Sequence, residues 1–207
     1  MESDRNWPLI GFRLVAATLV YNALEAIIAL WAGISARSIV LIGFGLDSVI
    51  EFAAASVLLW RLGIQIRGRD PAEIEQSDQR VHRFIGATFI ALALYVTISA
   101  SWTMISREIP GESIVGIILA FASLIIMPLI AWWKLKVAAR MGSAALRAEA
   151  RETLACSYLS FTLLMGLGVN ALTGWWWADP VAALLMVPWL IKEGLEGLRG
   201  EDDDDED

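Results

Sequence analysis

Apolar residues in this chain fall into long blocks separated by short polar punctuation. Five blocks are plain, at residues 9–31, 38–60, 84–105, 113–133 and 153–177. Each is about 20 residues long with few charges, the length an α-helix needs to cross a bilayer. A sixth, centred on 181–191, reaches that length when extended to 179–198. The punctuation is turn-like: Ala32-Gly33-Ile34-Ser35 after the first block, Pro110-Gly111 after the third, Asp179-Pro180 at the start of the sixth. Pro128 inside the fourth block marks an expected kink. The pattern predicts an all-α membrane protein with six transmembrane helices in one domain, residues 1–199, followed by a disordered acidic tail at 200–207.

Composition strengthens this reading. The hydrophobic share is 57%, against about 45–50% in soluble domains, and the mean hydropathy is +0.59. The net charge of −7 comes almost wholly from the run Glu201–Asp207, so it says little about partners. Nothing points to nucleic acid, to an enzyme active site, or to a removable signal peptide at the start. One cysteine, Cys156, excludes an intrachain disulfide.

Charge distribution gives orientation. With both termini in the cytoplasm, 14 of the 16 Lys and Arg lie on cytoplasmic segments, including Lys134 and Lys136 after the fourth block. Only Arg37 and Arg107 lie outside, so the positive-inside bias favours this topology in a cell (inner) membrane. Tryptophans 31, 60, 102, 132, 133 and 175–177 fall near block edges, as an aromatic belt does.

Three carboxylates interrupt the blocks: Glu25, Asp47 and Glu51. A charge at membrane depth costs several kcal/mol on insertion scales (~2.5–3.5), so such residues pair or line a polar path. Asp47 and Glu51 are four apart and share a helix face. Their mutual repulsion is relieved by a divalent cation or by a shared proton, and hydroxyls could satisfy them without any ligand. Glu152 and Cys156 repeat the four-residue spacing at the start of the fifth block, with Ser160 on the same stripe. Carboxylate plus thiolate suits zinc better than magnesium or calcium, although Cys156 could equally be a small core residue and Glu152 an interfacial one. Counting from the turn at Ile34, Glu25 lies within about one helical turn in depth of Asp47, with Asn22 on its face. Glu25 could carry a proton, ligate, or bond a hydroxyl. The only histidine, His82, is read as a solvated side chain.

Two segments carry a resemblance. Residues 33–51, GISARSIVLIGFGLDSVIE, and 146–160, LRAEARETLACSYLS, followed by GWWWADPVAALL at 174–185, resemble the cation diffusion facilitator family in order and spacing. The resemblance covers essentially the whole chain. It implies a six-helix bundle of that family, with metal ligands at Asp47, Glu51, Glu152 and Cys156; Glu25 and Asn22, by their depth and shared face, are expected in auxiliary or proton-coupling positions. It implies a homodimer that exports a divalent metal cation, Zn²⁺ first, in exchange for protons. Mn²⁺, Fe²⁺, Co²⁺ and Cd²⁺ stay open because the set mixes hard carboxylates with one soft thiolate. This chain departs from the family in having no histidine at those positions and an acidic run where a cytoplasmic metal-binding domain usually follows. A proton-coupled organic-cation exporter using Glu25, and a non-transporting metal-binding membrane protein, are the alternative readings. The depths also conflict. The fifth block centres near residue 165, which leaves Cys156 roughly 13 Å from the level of Asp47 and Glu51 at ~1.5 Å per residue.

The charge bias predicts that single cysteines introduced into 67–83 are labelled by impermeant maleimide only after the membrane is opened. Labelling in intact cells would reverse the orientation.

Overall fold

A computed structural model describes residues 7–66, 75–107, 109 and 111–199. The N-terminal residues 1–6, the first part of the second polar stretch (67–74), Pro110, the acidic tail and the side chain of His82 lie outside the described residues. Among those described there are six helices: α1 (Trp7–Ala36), α2 (Ile39–Ile66), α3 (Glu75–Ser106), α4 (Ile114–Met141), α5 (Ala144–Thr173) and α6 (Ala178–Arg199).

Five of them, α1 to α5, are long and apolar enough to cross a membrane. The exception is α6, whose 22 residues include Asp179, Lys192, Glu193 and Glu196. It packs along α3 and α5 as the sixth member of an all-α membrane bundle. Large apolar side chains such as Ile27, Trp31, Leu94, Ile98, Trp102, Ile118, Leu129 and Trp132 face outward, as lipid-facing surfaces do. Trp60, Trp133, Trp175 and Trp177 are exposed as well, consistent with a belt. Pro128 lies within an uninterrupted α4.

The helices outrun the apolar blocks that announced them. A hydropathy block marks where lipid is, whereas a helix continues for as long as its backbone bonds and side chains allow. The difference matters most in α5, which begins at Ala144 rather than 153. Residues 144–152, AALRAEARE, are strong helix formers despite their charges. Ser143 caps α5, its hydroxyl accepting from Leu146 N–H at 3.3 Å. The other end stops at Thr173 because Gly174 takes the left-handed conformation (φ 68°) and returns its N–H to Asn170 O. With these bounds Cys156 sits near the middle of α5, and the 13 Å conflict in depth disappears. The fourth block is extended in the same way, so Lys134 lies inside α4 and is fully buried. Its placement on a cytoplasmic connection is corrected accordingly: the charge is held within the bundle by partners described below.

Consecutive helices pair as α1 with α2 and α4 with α5, while α3 pairs with α6. The α3–α6 contact is backbone to backbone. A Cβ on Gly86 would stand 2.7 Å from Leu198 N and 2.8 Å from Gly194 O. Small residues permit this approach in membranes, where packing rather than hydrophobic expulsion joins helices. α2 touches α1, α3, α5 and α6, and α5 touches α2, α4 and α6, so these two helices form the centre.

Asp179 ties the sixth helix to the second. Its Oδ1 accepts from Ile39 N–H at 2.9 Å, and its Oδ2 takes the Ser38 hydroxyl. Ser38 Oγ in turn accepts from Leu41 N–H at 3.2 Å. A carboxylate on the unsatisfied N–H groups of a helix start is stabilising. The Asp-Pro pair that reads as a restart of α6 therefore also caps α2.

Asp179→Ala should destabilise the protein by about 1–3 kcal/mol, the cost of orphaning buried donors. Asp179→Asn, which keeps one acceptor oxygen, should lose less. Thermal unfolding in detergent compares the two, and equal losses would remove the capping role.

Candidate metal site

The site is built from the facing surfaces of α2 and α5. Asp47 and Glu51 project one turn apart from α2, with side chains fully and almost fully buried (6% exposed for Glu51). Cys156, fully buried, meets them from α5, its Sγ 3.8 Å from Asp47 Oδ2. One ligand atom from each of the three lies within 4.8 Å of the others. Asp47 Oδ1 and both carboxylate oxygens of Glu51 are buried without a hydrogen-bond partner among the described residues. Buried acceptors are nearly always satisfied, and a group of them in one place calls for an explanation. Two carboxylates and a thiolate are a donor set that could hold a divalent transition-metal cation.

The structure brings together Asp47, Glu51 and Cys156 but leaves Glu152 outside this cluster. Glu152 is half-buried one turn before Cys156 on α5. Glu25 lies close by, almost completely buried, in a different setting. Ser48, the neighbour of Asp47, donates to Glu25 Oε2 at 3.1 Å, and Ser123 of α4 donates to Oε1. The Tyr21 hydroxyl stands 2.7 Å from Ser123 Oγ. Glu25 is thus level with the α2 acids, as its distance from the turn predicts, and two hydroxyls hold it. Asn22, one turn away on the same buried face, has its Oδ1 unpartnered among the described residues.

Two groups escaped the sequence reading. Ser48 and Ser123 are isolated hydroxyls in apolar blocks, and their role becomes visible only when α1, α2 and α4 are placed side by side. The second group is Lys134, whose Nζ is 2.6 Å from Glu149 Oε1 and 3.0 Å from Thr153 Oγ1. The available signal was the stripe Glu149, Thr153, Cys156 and Ser160 along one face of α5.

The Cation efflux transmembrane domain family matches residues 15–199, which include both α2 and α5. The chain belongs to the cation efflux family. This cation efflux protein is 27% identical over 174 residues to an uncharacterized transporter, sll1263, of Synechocystis sp.. The similarity covers 79% of this chain and 56% of that protein, so the chain spans little more than half the length of its relative.

The Asp47 and Glu51 carboxylates, one turn apart with oxygens unpartnered among the described residues, repel each other when both are charged in the cation efflux protein without metal. Glu51→Gln should therefore raise its unfolding temperature in chelator, with a gain of about 1 kcal/mol or more. A fall in unfolding temperature would mean that the carboxylate is satisfied by contacts within the fold.

Proposed function

We propose that this chain is a proton-coupled transporter of divalent metal cations, with Zn²⁺ the first substrate, exporting metal from the cytoplasm as a homodimer in the inner membrane. The observation that carries this is the buried group of Asp47, Glu51 and Cys156 with its unpartnered acceptor oxygens. Family membership supports the same reading. Glu152 would complete a four-ligand set from the next turn of α5. The charge bias of the polar segments supports cytoplasmic termini.

Proton exchange follows from the ligand chemistry. A thiol and any protonated carboxylate must give up protons to bind metal, so binding weakens as pH falls and releases acid into solution. Glu25, whose oxygens are engaged by Ser48 and Ser123 rather than by the cluster, is suited to carry a proton next to the metal. Those same hydroxyls disfavour the organic-cation alternative, because they occupy the carboxylate that such a substrate would need. Asp47, Glu51 and Cys156 are buried, so loading and release require α2 and α5 to part on one side and then the other.

The test is flux of Zn²⁺, Cd²⁺ and Mn²⁺ into liposomes containing the purified chain, with and without a pH gradient. Asp47→Ala and Glu51→Ala should each lower Zn²⁺ affinity by more than about 100-fold, beyond what removal of outer-shell partners costs. Cys156→Ser should weaken Zn²⁺ and Cd²⁺ more than Mn²⁺, since a hydroxyl is a poor ligand for softer ions. Glu25→Gln should still bind metal but lose the response to the gradient. Stoichiometric Zn²⁺ binding without flux would leave a non-transporting metal-binding protein. Flux indifferent to pH on both sides would end the exchange mechanism.

A further inference from the structure

A lysine buried in a membrane bundle is costly to keep, and its partners identify its role. Lys134 is completely buried on α4, facing α5. Two of its ammonium hydrogens go to Glu149 Oε1 and to Thr153 Oγ1. Thr153 is oriented for this, because its hydroxyl donates to Glu149 O at 3.0 Å and so turns a lone pair toward Nζ. Glu149 is itself buried (7% exposed), and its Oε2 has no hydrogen-bond partner among the described residues. Glu149 and Thr153 lie two turns and one turn before Cys156 on the same α5 stripe. The ammonium is held at Thr153, one turn before Cys156 of the acidic cluster, yet neither Glu51 oxygen has a hydrogen-bond partner among the described residues. The one fully buried ammonium among the described residues is thus held by Glu149 and Thr153 rather than by Asp47 or Glu51.

We infer that Glu149 and Thr153 are positioning residues that sequester the Lys134 ammonium, which would otherwise act as a built-in competitor for Glu51 and close the site to metal. This inference rests on the metal-binding reading of Asp47, Glu51 and Cys156. The lysine stem is flexible and its charge is compact, so the ammonium follows the stronger acceptor. With Glu149 in place, Lys134 is neutralised at a distance and the acidic cluster keeps its full attraction for a divalent ion. Without Glu149, the ammonium is free to turn toward the acids of the cluster, Glu51 among them, and a cation arriving from outside must displace a tethered one. Lys134 and Glu149 therefore set how strongly the site attracts metal without touching it.

The experiment is calorimetric Zn²⁺ titration of the purified full chain and three variants, with the folded state of each checked by gel filtration. Glu149→Gln should weaken Zn²⁺ binding by at least about tenfold, as an uncompensated positive charge beside the site requires. Lys134→Met should bind at least as tightly as wild type, because Glu149 then adds uncompensated negative charge. The double variant should return to within about threefold of wild type, the near-cancellation expected of two coupled charges. Unchanged affinity in Glu149→Gln overturns the inference. So does a double variant as weak as Glu149→Gln, which would make Glu149 act on the metal or on the fold directly. If Glu149→Gln does not fold, Thr153→Val is read in its place: a smaller loss, rescued by Lys134→Met, supports sequestration, and no loss overturns it. Wild-type protein that binds no Zn²⁺ would instead remove the metal reading itself.

Discussion

Placing carboxylates at the level of lipid tails is expensive, and this bundle places Glu25, Asp47 and Glu51 there, close together. Burial alone favours none of these charges. What the fold does with each of them organises its interior. Glu25 is given hydroxyls from two other helices, Ser48 on α2 and Ser123 on α4. Asp47 and Glu51 are given a thiol on one side and acceptor oxygens without a partner among the described residues. Glu149, farther along α5, is given the lysine. Three acidic settings therefore lie side by side within one bundle: hydroxyl-bonded, unpartnered and ion-paired. Only the unpartnered one has the composition of a metal site.

Apolar packing lies on both sides of these acids. Val15, Ala55, Leu58, Val137, Ala138 and Leu146 form an apolar layer where α1, α2, α4 and α5 meet near one end of the bundle. A second layer, with Phe44, Leu41, Leu159 and Leu163, fills the centre of α2 and α5 toward the other end. The polar groups lie between two dry zones. That arrangement strengthens electrostatic interactions in the site and makes any unpaired group there costly to hold.

The spans, the family resemblance and the pairing of Asp47 with Glu51 were legible in the sequence, because long apolar blocks and four-residue spacings are local signals. The ends of α5 were not, and this one error created the conflict over the depth of Cys156. Residues 144–152 look like a polar connection because hydropathy registers their charges and not their helix propensity. Lys134 was misplaced for a related reason. It follows Trp132 and Trp133 at the close of an apolar block, and its burial depends on Glu149, which approaches only after the chain has turned and come back. Ser123 and Asp179 act across still longer separations, on Glu25 and on the start of α2. Such partnerships belong to the packing of helices and leave no mark in a window of sequence.

The turn between α4 and α5 consists of Gly142 and Ser143 alone, with Gly142 in the left-handed conformation (φ 63°) and Ser143 capping the helix that follows. So tight a connection fixes the rotational phase of α5 relative to α4. Each residue advances a helix by about 100°, so one residue gained or lost between the cap and Glu149 would swing Cys156 away from Asp47 and take Glu149 and Glu152 with it. Point substitutions in this stretch alter single contacts, whereas a change of length would rewrite the whole polar face at once. The spacing between Ser143 and Cys156 is in that sense as much a part of the site as the thiol is.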